Sequence, residues 1–168
     1  MNSTIEAGAV AGVAGGKYLS FQLSREEYGI EILAVREIIG MVDVTALPRT
    51  PEFVLGVINL RGRIIPVIDL RRKFGMEPKE FTNETCIVVV DVGKDVESAF
   101  RVGCIVDSVS EVLTISADDF EPSPRCANAA GDYIAGLAKL KDRVLILLDI
   151  DKVISDIDPA TLGVGGAQ

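Results

Sequence analysis

The alternation of apolar and polar positions predicts a chain of short strands with very little helix. Tyr18-Leu-Ser-Phe-Gln-Leu23 alternates as a half-buried strand does, and Tyr28 to Leu33 returns as a second strand after the polar turn Ser24-Arg-Glu-Glu27. Val35 to Val42 continues β-rich, interrupted by Gly40. Thr50-Pro51-Glu52 predicts a helix start, with Thr as N-cap and Pro at the first helical position, lasting barely a turn before Gly56. Val57 to Leu60 and Ile64 to Ile68 predict two strands joined by a turn at Arg61-Gly62-Arg63, and Leu70 to Phe74 a short helix stopped by Gly75. The polar stretch Pro78 to Glu84 then separates two units. Thr85-Cys-Ile-Val-Val-Val-Asp91 opens the second unit as a nearly continuous apolar run, the pattern of a strand covered on both faces. Gly93 to Glu97 predicts a charged turn, Phe100 to Val106 a returning strand, 123–132 a polar loop, and Asp149 to Ile157 a terminal helix.

The two units are related. Gly56-Val-Ile-Asn-Leu-Arg-Gly-Arg-Ile-Ile-Pro-Val-Ile-Asp-Leu70 meets Gly136-Leu-Ala-Lys-Leu-Lys-Asp-Arg-Val-Leu-Ile-Leu-Leu-Asp-Ile150 at a shift of eighty positions. Gly56, Leu60, Arg63 and Asp69 meet Gly136, Leu140, Arg143 and Asp149 unchanged, and Phe53 meets Tyr133. At a shift of seventy-four, Val35-Arg-Glu-Ile38 meets Val109-Ser-Glu-Val112, and Gly29 meets Gly103. One such duplication implies two copies of a fold, not a solenoid. Five short strands per unit are too few for a stable open sheet, so each is expected to close into a small barrel. Units of this size pack on one another, and the apolar strands at 86–90 and 144–148 are candidates for the shared interior. The expectation is a mainly β protein: a first barrel over about 28–77 with the strand at 18–23, a second over about 84–155, and flexible tails at 1–16 and 156–168. The symmetry breaks at Asn59-Leu-Arg-Gly62 against Lys139-Leu-Lys-Asp142, a difference suited to function.

Composition narrows the function. A 48% apolar chain of 168 residues with 5% aromatics and no Trp needs an aliphatic core. Its net charge of −8 disfavours nucleic acid and anionic membranes, which select Lys and Arg. No stretch suits a signal peptide or a membrane span, so a soluble cytoplasmic protein is expected. Cys86, Cys104 and Cys126 form no CxxC pair and there is no His, so neither zinc nor a disulfide framework is expected. Lack of His also removes the commonest general base. Asp69 and Asp149 resemble a carboxylate pair, but their equivalent places before helix-like segments favour N-capping. No catalytic, metal or cofactor-binding residue is assigned.

Arg61, Arg63, Arg71, Arg72 and Lys73 form a basic cluster whose plain reading is a solvated face, with Arg63 structural because Arg143 repeats it. Arg61 is set apart by its tight turn, and its fork suits recognition at a protein interface. Glu37, in an apolar strand, is either a salt-bridge partner of such an Arg or part of the same site.

Gly56 to Leu70, together with Tyr28-Gly-Ile-Glu-Ile-Leu-Ala-Val-Arg-Glu-Ile38, Gly103-Cys-Ile-Val-Asp-Ser-Val-Ser-Glu-Val112 and Gly136 to Ile150, resembles the CheW family of chemotaxis coupling proteins from about Tyr18 to Ser155. The resemblance implies two SH3-like five-stranded barrels with a hydrophobic seam. It further implies a non-enzymatic, cytoplasmic adaptor linking methyl-accepting chemoreceptors to the histidine kinase CheA, with self-association in arrays as a further prospect. A CheW-like scaffold in another chemosensory pathway and a small-ligand barrel are the alternatives. Carried over by motif, the receptor-facing groove comprises Val35, Glu37, Gly56, Asn59, Leu60, Arg61 and Gly62, with Gly56 admitting a close backbone. No kinase-facing residue is assigned. The short flanking segments leave no room for an ATP-binding or receiver domain, which favours a stand-alone coupler.

Overall fold

A computed structural model describes residues 16–77, 79–93, 100–122 and 133–155. Gly16, expected to end the flexible tail at 1–16, instead opens the first strand; the rest of that tail, the tail at 156–168, the loop at 123–132, Cys126 and most of the turn after Gly93 lie outside the described residues. In chain order the elements are β1 (Gly16–Leu23), β2 (Glu26–Glu31), β3 (Val35–Gly40), β4 (Val54–Leu60), β5 (Arg63–Asp69), α1 (Leu70–Lys73), β6 (Cys86–Val92), β7 (Phe100–Val106), β8 (Ser108–Ile115), β9 (Phe120–Pro122), β10 (Ile134–Lys139), β11 (Val144–Leu148) and α2 (Ile150–Ile154).

The strands form two sheets, ordered β3-β6-β7-β5-β4 and β8-β1-β2-β11-β10-β9. Each closes in the same way. After β3 the chain turns so that Thr45 pairs with Val57 of β4, and after β8 a 3-10 turn at Ala117–Asp119 brings β9 onto β10. The sheets do not follow the division expected near 78–84. β1 and β2 pair with β8 and β11, while β6 and β7 pair with β3 and β5. Each barrel therefore combines strands from both repeats. The repeat shifts survive this exchange: Val67 opposes Gly103 in the parallel pair β5–β7, and their counterparts Leu147 and Gly29 oppose each other in β11–β2.

The sequence equivalences reappear as geometry. Register shifts fall between Val54 and Gly56 in β4 and between Ile134 and Gly136 in β10. The Asp69 N–H donates to Phe53 O at 2.8 Å, and the Asp149 N–H donates to Tyr133 O at 2.8 Å. Asp69 accepts from the Arg71 N–H at 3.0 Å and Asp149 from the Lys152 N–H at 3.3 Å, so both aspartates cap helices as expected. The helix predicted at Thr50-Pro51 is absent. The Thr50 hydroxyl bonds back to Leu47 O, the Val54 N–H closes a turn on Pro51 O, and β4 begins at once.

Burial follows strand alternation. In β6, Ile87 and Val89 point into the first barrel with Ile58, Ile65, Val67 and Ile105. Val88 and Val90 point the other way, into a core shared with Leu19, Phe21 and Leu23 of β1 and Leu148 of β11. Tyr18, Ile115, Ala138, Leu145 and Leu147 fill the second barrel. Among the described residues the shared core holds 19 buried residues against 6 and 5 inside the barrels, so the seam between them dominates their apolar burial. β1 is buried on both faces, not half-buried, because it lies inside its sheet with this seam behind it. Its Ser20 hydroxyl donates to Glu111 O at 3.0 Å and accepts from the Glu111 N–H at 3.2 Å, across a register shift.

The basic cluster after β5 is not a solvated face. Arg71 is buried. Its guanidinium holds both oxygens of Asp107, with Nε at 2.7 Å from Oδ1, and donates to Glu77 O at 3.0 Å. Asp107 also accepts from the Ser24 N–H at 2.8 Å, so one pair ties α1 to the β7–β8 corner and the β1–β2 turn. Arg72 lies 3.5 Å from Glu52, and the Lys73 ammonium sits 4.1 Å from the Phe53 ring centre. Cys104 is buried, and burial pushes its thiol up to about 12. Burial also raises the Cys86 thiol, so neither is a ready nucleophile.

Candidate functional site

Arg61 and Gly62 form a two-residue hairpin turn between Leu60 and Arg63, with φ of 55° and 84°. Positive φ at both central positions is the geometry whose twist matches the flanking strands, and glycine at the second supplies it without steric cost. Arg61 has a Cβ and is less at ease there. The Asn59 side chain accepts from the Gly62 N–H at 3.0 Å and ties the turn to its own strand.

This turn carries the Arg61 side chain to Glu37 on β3, where the two form a hydrogen-bonded ion pair. β3 and β4 are the first and last strands of their sheet, so the pair spans the line along which the barrel closes. A register shift between Val35 and Glu37 in β3 sets Glu37 against Val89. The Arg61 side chain is 71% exposed and that of Glu37 26%, so the guanidinium lies at the surface with its carboxylate partner beneath. The Glu37 hydrogen bond holds the guanidinium even further above its usual range.

The expected groove residues do not all belong to this surface. Arg61, Glu37, Asn59 and Gly62 are brought together at it. Leu60 is half-buried against the core of the first barrel, and Val35 is partly buried against the shared core two residues before Glu37. Gly56 is buried. It does admit a close backbone, but the backbone is its own chain's: a Cβ there would lie 2.0 Å from Thr45 O. Gly136 has the matching role, a Cβ meeting Phe120 and Glu121 O.

In the second barrel, Glu111 is the counterpart of Glu37, yet it pairs with Arg143, the counterpart of Arg63. Arg143 also lies 2.7 Å from Glu27, an ion pair without hydrogen-bond alignment at Nε, and 3.5 Å from Asp142. Arg143 is therefore the structural member of the repeated pair, whereas Arg63 is exposed and makes no ion pair among the described residues. Arg143→Ala is expected to lower stability by about 0.5–1 kcal/mol, because the side chain is over a third exposed. Urea denaturation with an unchanged slope checks this. Pattern reading also missed four exposed apolar residues in equivalent places: Ile38 and Ile64 on the first barrel, Val112 and Val144 on the second. Their matching positions under the two repeat shifts were the available signal.

Among the described residues no cluster of His, Cys, Asp or Glu could hold a metal, and no helix is long and apolar enough to cross a membrane. The first barrel's interior is occupied by aliphatic side chains.

Residues 17–158 match the family model of the CheW-like domain. The chain belongs to the CheW-like family. Among its relatives, chemotaxis protein CheW of Klebsiella aerogenes is 44% identical over 147 residues, covering 87% of this chain and 86% of that one. Chemotaxis protein CheW of Thermotoga maritima is 37% identical over 139 residues, covering 83% and 87%. The crystal structure of the scaffolding protein TtCheW from Thermoanaerobacter tengcongensis superposes with a TM-score of 0.76 at 34% identity, over 85% of this chain and 94% of that one. CheW-like proteins are non-enzymatic chemotaxis scaffolds and adaptors, in keeping with a site made of one exposed ion pair and a shaped turn.

Proposed function

We propose that this chain couples the cytoplasmic tips of chemoreceptors to the histidine kinase CheA and supports regulation of the kinase, acting in the cytoplasm at membrane receptor arrays. The observation that carries this reading is the exposed Arg61 guanidinium, presented by a left-handed turn and steadied by Glu37. An arginine fork so placed can exchange an internal carboxylate for one on a partner helix, gaining direction from its planar geometry. Leu60 and Val35, both packed partly into the cores, would add only the contact that their outer atoms offer, while Asn59 and Gly62 shape the turn. Gly56 belongs to the scaffold of the surface. The family to which the chain belongs supports the choice of partners.

The test is a three-component pull-down with a receptor cytoplasmic fragment and the kinase, read alongside kinase activity. The chain is expected to bridge the two and alter phosphorylation. Arg61→Ala is expected to weaken receptor attachment about tenfold, an ordinary interface hot-spot loss, with an unchanged melting temperature. Bridging of a kinase and receptors from a different chemosensory pathway alone would reassign the pathway. Absence of bridging in every combination would remove the coupling role.

A further inference from the structure

The two repeats provide an internal comparison that isolates one residue. At the first hairpin, position 59 is an acceptor: Asn59 Oδ1 takes the Gly62 N–H at 3.0 Å, and Arg61 and Gly62 both have positive φ. At the second hairpin the matching residue is Lys139, which has no side-chain acceptor and instead lies 2.7 Å from Glu121. There neither Lys141 nor Asp142 has positive φ. The flanking leucines and the second arginine are common to both hairpins, so they do not account for the different turns. What differs is the acceptor at the first position, the glycine at the fourth and the basic residue between them.

Glycine permits the left-handed turn but does not impose it, since it populates both signs of φ readily. The Gly62 N–H is exposed, and in the folded turn it donates to Asn59 Oδ1 and not to solvent, a local side-chain bond that favours this turn over other backbone conformations. Arg61 lies between Asn59 and Gly62 in the chain, within the ring that this hydrogen bond closes. We infer that Asn59 is a positioning residue for Arg61: its side chain fixes the turn that aims the guanidinium at Glu37 and at the partner, and it makes little contact with the partner itself. This deepens the proposed function and rests on the reading that Arg61 meets a receptor.

The experiment measures affinity for a chemoreceptor cytoplasmic fragment, using the full chain and its Arg61→Ala, Asn59→Ala, Asn59→Asp and doubly substituted Asn59→Ala/Arg61→Ala variants. Hydrogen exchange of the Gly62 amide is followed in the free proteins. Asn59→Ala is expected to speed Gly62 exchange and weaken binding about fivefold, while the double variant binds no worse than Arg61→Ala alone, as for residues acting through one contact. Asn59→Asp keeps an acceptor oxygen and is expected to restore both protection and most of the affinity. Additive losses in the double variant would make Asn59 a direct contact and overturn the inference. So would Gly62 protection that survives Asn59→Ala. If Arg61→Ala binds normally, the receptor-facing reading falls and the positioning role with it. If only Asn59→Ala binds normally, the positioning role falls alone.

Discussion

Gly56→Ala is expected to cost about 4 kcal/mol or more, enough to leave a domain of ordinary stability largely unfolded near physiological temperature. Two penalties coincide. The backbone there has φ of 150°, a region essentially reserved for glycine, and the added Cβ would sit 2.0 Å from Thr45 O and 2.7 Å from Thr45 C. A flexible side chain could move aside, but this is the backbone that closes the first barrel through its pairing with Val57. Gly75→Ala is the proper control: its φ is 76°, but a Cβ there would meet nothing within 4 Å, so about 1 kcal/mol is expected. Chemical denaturation of both variants checks the contrast. A Gly56→Ala protein as stable as Gly75→Ala would mean that Thr45 can retreat and that barrel closure is soft.

The second large effect belongs to Arg71 and Asp107. Asp107→Asn leaves a buried guanidinium facing a neutral amide, and about 3 kcal/mol of destabilisation is expected. The pair also sets an acid limit. Burial raises the Asp107 carboxyl, but the Arg71 guanidinium and the Ser24 N–H outweigh it and hold the group below its usual range. A carboxylate depressed in the folded state contributes stability above its unfolded pKa and loses it as pH falls through the folded value. Asp69 runs the other way. Burial raises it despite its bonds to Arg71 and Arg72, so folding favours its protonated form and its contribution weakens as pH rises through its folded pKa. The Asp107 share should begin to fall as pH drops below about 4 and be lost only as pH passes through its lower folded pKa. Stability profiles of the parent and Asp107→Asn, measured from pH 7 downwards, are expected to converge there; parallel profiles would show that Asp107 carries no such acid-sensitive share.

These expectations show what the chain discloses and what it withholds. Strand positions, the Arg61-Gly62 turn and both aspartate caps were legible, because each depends on residues a few positions apart. Gly56 was legible as a place of close backbone approach, but nothing local tells whose backbone arrives. The exchange of strands between repeats was hidden for a deeper reason. Duplication reveals which strands are alike, while pairing within a repeat or between repeats satisfies the same alternation. Arg71 was misread because its partner lies 36 residues away and turns a surface charge into a buried tie. Thr50-Pro51 carries good helix-start chemistry, but the early start of β4 leaves no length for a helix. At the candidate site, Arg61 and Glu37 were legible as candidates, yet the repeat could not disclose that Glu111 would choose Arg143 in the other barrel.

The exchanged strands also set the order in which the molecule can be made. Ser20 of β1 bonds to Glu111 of β8, 91 residues later, and β2 waits still longer for β11. During synthesis the first two strands emerge as a hairpin with open edges, and those edges stay open until most of the chain has left the ribosome. Contacts so distant in sequence form late and slow the search for the native state. The nascent chain thus passes through a long interval of exposed edges before either barrel can close, and its yield in the cell should depend on what shields that hairpin meanwhile.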